Sequence, residues 1–460
     1  MTIQTTTSDA VDRLRDRVRG RVIGPDDADY QTARTVVSGE YDLHPAAIVR
    51  VEDATDVAAT ILAARELGLE VAVRSGGHSG AGHSSTEGGI VIDLRALKSV
   101  ELDVTGRTAW LGAGLTAIEV TSELVKHGLA LGFGDTGSVG IGGITLGGGV
   151  GYLYRKHGLT IDSLLAAEIV TADGRIRIID ADHEPDLFWA IRGGGGNFGV
   201  VTRFRFRLHE LAGIVGGLLV LPATAESVAA FVAAAEVAPD ELSVIGNVMP
   251  CPPLPFVDAA HHGQVVIFAM VVWSGDPAAA EAALAPFRSP ATPLADLIHP
   301  GPLTDIYPPD DPDYHPTAYA RNLFTNRIGL AEAARIVERL EASDAPVRVV
   351  QIRVLGGAGA RVPTDATAYA HRSSPIMVNV AAFYEGAADR LVRQEWVDGL
   401  VADLTQADHG VYVNFLVEEG EGRIRAAYPG ATWARLAAVK RHYDPDNVFH
   451  RNQNVPPAAA

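Results

Sequence analysis

Between residues 47 and 94 the hydrophobic pattern changes period twice. Ala47 to Val51 is a mostly apolar run of strand length, and from Asp53 the apolar positions move to helical spacing at Val57, Ile61 and Ala64. Asp53 stands where an N-cap accepts first-turn N–H groups, and Gly68 where a left-handed residue closes a helix. Val71 to Val73 and Ile90 to Leu94 return to strand-like runs. The pattern predicts a β-α-β unit that delivers the loop between Val71 and Leu94. Upstream, Val11, Leu14 and Val18 lie on one face of a short amphipathic helix expected over residues 8–22.

Downstream, Val100 to Val104 and Thr108 to Leu111 read as a hairpin around Thr105-Gly106, and Leu164 to Thr171 with Arg175 to Ile179 as another across Asp173-Gly174. Thr116 and Glu119 form a capping box for a helix that Gly128 can close, and Pro185 to Ile191 is a short helix. After Leu208 the texture shifts. Strand patterns at Val215–Leu221, Val265–Val272, Val347–Leu355, Met377–Phe383 and Val411–Leu416 alternate with alanine-rich helices, which predicts an α+β region with one sheet covered by helices. The proline-rich stretch Pro290–Pro316 is long enough for a lid or a substrate-binding loop, and equally for a solvated surface loop. A final helix from Thr432 runs into DNVFHRNQNVPP, whose Val448 and Phe449 point to docking on the first region.

Three glycine blocks interrupt this pattern. In the first, His78 sits among Gly76, Gly77, Gly80 and Gly82, so the backbone can close around an anion or a planar ligand and hold out an imidazole. The second, residues 132–151, has ten glycines in twenty residues interleaved with Val139, Ile141, Ile144, Leu146 and Val150, which argues for packed structure that wraps something closely. In the third, Gly194, Gly196 and Gly199 match a dinucleotide fingerprint, but a helix precedes them and a strand follows, the reverse of the Rossmann context. A Rossmann site is therefore rejected, while close backbone approach to a ligand is kept. His78 and His83 could pair as metal ligands with Glu87, but so flexible a loop offers no rigid frame for three ligands, and no metal is expected.

Composition narrows the classes. With 460 residues, 47% of them apolar, the chain can bury a large core and form two or three domains. Its formal charge of −18 argues against nucleic acid and anionic membrane as partners. The single cysteine, Cys251, excludes an intrachain disulfide framework and fits a reducing compartment. Acids and arginines interleave over Asp9 to Arg17 with no apolar h-region, and the longest apolar runs fall far short of a membrane span, so a cytoplasmic protein is expected. Nothing in the pattern speaks to oligomeric state.

RSGGHS at 74–79, GSVGIGGITLGGGVGYLYRKHGLTIDSL at 137–164 and YDPDNVFHRNQNVPP at 443–457, with IRGGGGNFGVV between, together resemble the FAD-linked oxidases of the berberine bridge enzyme type, in the vanillyl-alcohol oxidase superfamily. The resemblance implies an α+β fold: a two-subdomain PCMH-type FAD-binding domain over residues 1–208 (about 1–98 and 99–208), a substrate domain over 209–415 with an antiparallel sheet covered by helices, and a segment 416–460 returning to the first domain. It implies FAD contacts from Arg74, Ser75, Gly76, Gly77, His78 and Ser79, from Gly137, Ser138, Val139, Gly142, Gly143, Gly148 and Gly149, and from Val200, Asn452 and Asn454. The histidine matching His78 is joined to the flavin 8α carbon in such proteins, and a largely neutral imidazole has the lone pair for that bond. Many members add a cysteine tether where this chain has Thr136, which implies attachment through His78 only, as in the 6-hydroxy-D-nicotine oxidase type. Val139 matches a position near the flavin C4a and N5 where valine accompanies reaction with O₂.

The implied reaction moves a hydride from an alcohol or amine carbon of a small molecule, a secondary metabolite, sugar or alkaloid, to FAD, with O₂ reduced to H₂O₂. A base is then needed. Tyr412 is the candidate, on a strand, with its phenol lowered by the nearby charge of Arg353; Phe415 replaces a second family tyrosine. Tyr152, Tyr154, Gln351 and Asn414 are expected to line the substrate side. A dehydrogenase with another acceptor and a flavin-containing drug-binding or resistance protein stay open as alternatives.

Overall fold

The computed structural model describes residues 11–309, 311 and 313–459. Three sheets organise it. The first has the order β1-β2-β4-β3, from β1 (Arg21–Ile23), β2 (Ala47–Arg50), β3 (Val71–Arg74) and β4 (Ile90–Asp93), with β2 and β3 both parallel to β4. Helix α1 (Ala54–Leu67) makes the crossover between β2 and β3. Asp53 accepts from the N–H groups of Thr55 and Asp56, and Gly68 ends the helix at φ 63°. The local signals that predict this unit are thus the ones that build it.

The N-terminal expectation needs correction. Residues 8–10 lie outside the described residues; from 11 the helix lasts only to 15, and Arg21–Ile23 is instead an edge strand antiparallel to β2. Val11 and Leu14 are buried as expected, but the Gly20 backbone packs against the Arg50 carbonyl, where continuing side chains would not fit.

The second sheet runs β5-β6-β10-β8-β9, with β5 (Val100–Asp103) and β6 (Thr108–Gly112) forming one predicted hairpin, β8 (Leu164–Val170) and β9 (Ile176–Asp180) the other, and β10 (Val200–Arg207) antiparallel to both β6 and β8. A two-stranded ribbon of β7 (Leu129–Ala130) and β11 (His209–Glu210) stands beside it. Within the second glycine block, residues 141–146 form the short helix α2 (Ile141–Leu146).

The third sheet has the order β15-β12-β14-β13-β18-β19-β17. Its strands are β12 (Ile214–Pro222), β13 (Leu242–Pro250), β14 (Val265–Trp273), β15 (Ala295–Asp296), β17 (Ala318–Thr325), β18 (Arg348–Val354) and β19 (Ile376–Phe383), with β16 (His299–Gly301) also on β12, and every pairing is antiparallel. Strand alternation sorts its faces. Val350, Ile352 and Val354 of β18 and Ile376, Val378 and Val380 of β19 pack with Phe231, Ile336, Leu340 and Val397 of the covering helices. Gln351, Arg353 and Asn379 therefore face the other way, toward the glycine blocks.

Four strands of this sheet are absent from the predicted set: β13 and β17, where polar residues such as Asn247, Arg321 and Asn322 break the apolar runs, and the short β15 and β16 in the proline-rich stretch. The strand expected at Val411–Leu416 does not form. Its backbone donors go to turns and side chains: the Tyr412 N–H donates to Asn322 Oδ1 at 2.7 Å, and Phe415 and Leu416 donate back to Tyr412 and Val413 in a single 3₁₀ turn. The proline-rich stretch is packed, since Leu303, Ile306 and Tyr307 are buried and β15 and β16 add to the sheet.

The C-terminal segment packs on the third glycine block. Lys440 and Asp444 form an ion pair of 2.6 Å with both side chains fully buried, and the ammonium also donates to the carbonyls of Asn197 and Phe449. Asn197 in turn holds the Val455 N–H and the Gln453 carbonyl. One buried charge pair thereby fastens the third glycine block to the chain's last turn.

Candidate active site

A cavity of about 490 Å³ lies where these pieces converge. One wall is the His78 loop, Ser75 to Gly80, with His83 and Ser84; a second comes from the other two glycine blocks, through Gly134 to Thr136, Val139, Gly140, Gly142 and Gly143, and through Gly195 to Asn197 and Gly199 to Val201; Arg451, Asn452 and Gln453 close an end. Ala320, Arg353 and Asn379 from the third sheet, with Tyr412 to Val417, form the remaining wall.

The glycines divide by what surrounds them. Gly76 and Gly140 cross so closely that a Cβ on either would overlap the other's backbone nitrogen, so this pair locks the first two blocks together. Gly147, Gly149 and Gly151 are likewise pressed against Asn414, Thr160 and Phe133. Gly143 and Gly196 differ: both line the cavity, and a Cβ on either would meet nothing within 4 Å. They leave backbone open to a ligand, as a cofactor cradle requires. The Asn452 Oδ1, buried without a partner on the C-terminal wall, adds an acceptor for such a ligand.

Tyr412 is 2% exposed, and its hydroxyl oxygen accepts from the Gly149 N–H at 2.9 Å and from Asn414 Nδ2 at 2.8 Å. The expectation of a lowered phenol pKa is overturned. Burial raises it above the usual tyrosine value, and the Gly149, Asn414 and Arg353 contributions, all lowering, offset only part of this. Arg353, 4% exposed at the side chain, pairs with Asp135 at 2.7 Å, donates to the Val150 carbonyl and to Gln351 Oε1, and lies 5.0 Å over the Phe415 ring. Burial, with Arg451 nearby, pushes the His83 imidazole down to about 4.

Of the residues singled out in the sequence, Ser75, Gly76, Gly77, His78, Ser79, Val139, Gly142, Gly143, Val200, Asn452, Tyr412, Arg353 and Asn414 line this cavity. Others do not. The Arg74 guanidinium turns back to the carbonyls of Ser84, Ala33 and Arg34, and so braces the loop from behind. Gly137 lies against Ile118 and Tyr307, Gly148 against Tyr369 and Tyr412, and the Gly149 N–H is taken by Tyr412. Ser138 and Asn454 fall outside the lining, as do Tyr152 and Tyr154, buried phenols whose pKa burial raises. Gln351 stands behind Arg353, donating to Asn247 and Asp135. Asp135, Asn379 and Arg451 were missed. An asparagine in the otherwise apolar β19 run was the available signal for Asn379; Asp135 had none beyond its place in the second glycine block.

Fold and cavity together define a flavoprotein of the PCMH-type FAD-binding architecture. Residues 45–180 match the family model described as FAD binding domain, and 411–456 the one described as berberine and berberine like. The chain is 30% identical over 457 residues to (R)-6-hydroxynicotine oxidase of Paenarthrobacter nicotinovorans, covering 96% of this chain and 97% of that protein. Among solved structures, 6-hydroxy-D-nicotine oxidase from Arthrobacter nicotinovorans superposes with a TM-score of 0.83 at 29% identity, covering 96% of this chain and 98% of that one. The berberine bridge enzyme-like 1 protein of Physcomitrella patens shares the fold at a TM-score of 0.85 and 22% identity, with both chains fully covered. The chain belongs to the berberine bridge enzyme-like FAD-linked oxidoreductases.

Proposed function

We propose that this protein is an oxidase that takes a hydride from the carbon bearing an alcohol or amine in a small molecule, holds its FAD through His78 alone, and uses O₂ as the electron acceptor with release of H₂O₂. The observation that carries the reading is that His78 on its glycine loop and Tyr412 with Arg353 on the opposite wall line one cavity. FAD, when bound, supplies the two-electron acceptor and its reoxidation by O₂. All else falls to the chain.

His78 would hold the isoalloxazine at its 8α carbon, while Gly143 and Gly196 admit close backbone approach and Asn452 offers a polar contact. Thr136 lines the cavity without a thiol, and Cys251 is buried in an apolar cluster with Val220, Val257 and Val266, which supports a single tether. Val139, small and in the lining, leaves room for O₂. Tyr412, in its phenolate form, takes the substrate proton, its oxygen oriented by Gly149 and Asn414. Arg353, neutralised by Asp135, offers Tyr412 a favourable field without leaving net charge in the wall. A single cysteine fits work in the cytoplasm, and no helix among the described residues is long and apolar enough to cross a membrane.

Acid precipitation of the purified holoenzyme should leave yellow colour on the polypeptide, and His78→Ala should release it to the supernatant. Colour retained by the variant would refute the tether. An H₂O₂ assay over sugars, alkaloid amines and phenolic alcohols tests the oxidase reading; a substrate-bleached enzyme that stays bleached in air would make it a dehydrogenase.

A further inference from the structure

Strands β13, β18, β19 and β17 pair in a register that aligns Asn247 with Gln351, Gln351 with Asn379, and Asn379 with Asn322. Four carboxamides thus cross the sheet in one row, on the face turned toward the cavity. Most of their hydrogen-bonding groups are occupied. Asn247 Oδ1 accepts from Gln351 at 3.1 Å, Asn247 Nδ2 donates to the Phe268 carbonyl at 3.4 Å, Gln351 Oε1 accepts from Arg353 at 2.7 Å, and Asn322 Oδ1 accepts from the Tyr412 N–H. Two buried atoms, adjacent in the register, have no partner: Asn379 Oδ1, an acceptor, and Asn322 Nδ2, a donor. Asn379 lines the cavity.

We propose that Asn379, backed by Asn322, is the specificity-determining group of this site, and that the substrate it selects is neutral and presents a hydroxyl. The inference rests on the oxidase reading and narrows its alcohol-or-amine class to alcohols. A hydroxyl donates to the Asn379 oxygen while keeping lone pairs for a second partner, and Asn322, fully buried and outside the lining, holds the row from behind. A carboxylate only accepts and so leaves the Asn379 oxygen unmet, whereas a hydroxyl or an ammonium can donate to it.

Charge separates those two, since it disfavours a cation. Three formal charges line the cavity besides the imidazoles: Asp135 and Arg353, which cancel at 2.7 Å, and Arg451, on the C-terminal wall beside His83. A cationic amine would find no unpaired carboxylate in this wall, and an anion would meet the Asn379 oxygen. Phe415, also in the lining, gives an aromatic or alicyclic body a surface to rest on.

Isothermal calorimetry on the holoenzyme with benzyl alcohol, benzylamine, benzoate and toluene tests this. Heats of binding are read whether or not the flavin is tethered and whatever the electron acceptor, so a failure of the oxidase reading would appear as missing H₂O₂ with the binding preference intact. Benzyl alcohol should bind about tenfold more tightly than each of the other three, and Asn379→Leu should reduce its affinity to that of toluene. The same variant should keep its flavin content and an unchanged or raised melting temperature, because it removes an unsatisfied buried atom; a merely structural asparagine would lower the melting temperature instead. Asn379→Asp, which keeps the shape should the leucine variant fail to fold, should move the preference to benzylamine. Tighter binding of benzylamine or benzoate by the unaltered protein, or an unchanged benzyl alcohol affinity in Asn379→Leu and Asn379→Asp, would overturn the proposal.

Discussion

Tyr412 shows how burial and hydrogen bonding compete at a single oxygen. Two N–H groups and a nearby guanidinium favour the phenolate, yet desolvation keeps its pKa above the ordinary value of about 10. If Tyr412 takes the substrate proton, anaerobic flavin reduction should accelerate with rising pH over the alkaline range. Tyr412→Phe should lower that rate by about 10²-fold or more and flatten the pH profile, with flavin content unchanged, in stopped-flow traces from neutral pH to pH ~10. The identity of this residue was legible in the YVNF stretch, but its environment was not. Asp135, which neutralises Arg353, comes from a distant loop, and desolvation is a property of the packed molecule.

At the scale of elements, the glycine blocks separate folding from binding. A methyl on Gly140 would overlap Gly76 and Ser75, whereas one on Gly143 would project into open cavity. Gly140→Ala should therefore destabilise the fold by about 1–3 kcal/mol and lose flavin, whereas Gly143→Ala should melt like the unaltered protein and lose flavin alone. Melting curves paired with the ratio of flavin to protein absorbance check both outcomes. Helix α1 and its two strands could be read from the sequence because Asp53, Gly68 and the apolar spacing act within a few residues. The Val411–Leu416 strand was misread because its apolar alternation is real, but the segment meets the sheet only where the Gly410 carbonyl accepts from the Phe324 N–H, and it spends its donors on Asn322 and on a turn. Periodicity records which side chains are buried and does not say what buries them.

Across the whole molecule, burial holds four histidines, His83, His157, His209 and His371, below the ordinary imidazole value. His157 and His209 stack with ring centroids 3.8 Å apart, and burial first, then neighbouring positive groups, lower them to about 3 and about 4; His83 is lowered to about 4. In the unfolded chain each titrates near about 6.5. Between those values the unfolded state binds more protons, so their contribution to stability is present above pH ~6.5 and is lost as the pH falls toward ~4. The melting temperature should drop over that window, and the His157→Leu variant should show a shallower slope in thermal melts taken at half-unit pH steps.

The C-terminal wall of the cavity sets an order of events during biosynthesis. The His78 loop emerges from the ribosome early, yet Arg451 to Gln453 are needed to enclose the pocket, and Lys440 holds that stretch against the third glycine block. A nascent or prematurely terminated chain presents an imidazole but no closed chamber around it. A flavin tethered as proposed would then mark chains that extend through Gln453, so yellow colour on the polypeptide would report that this stretch of wall had been made.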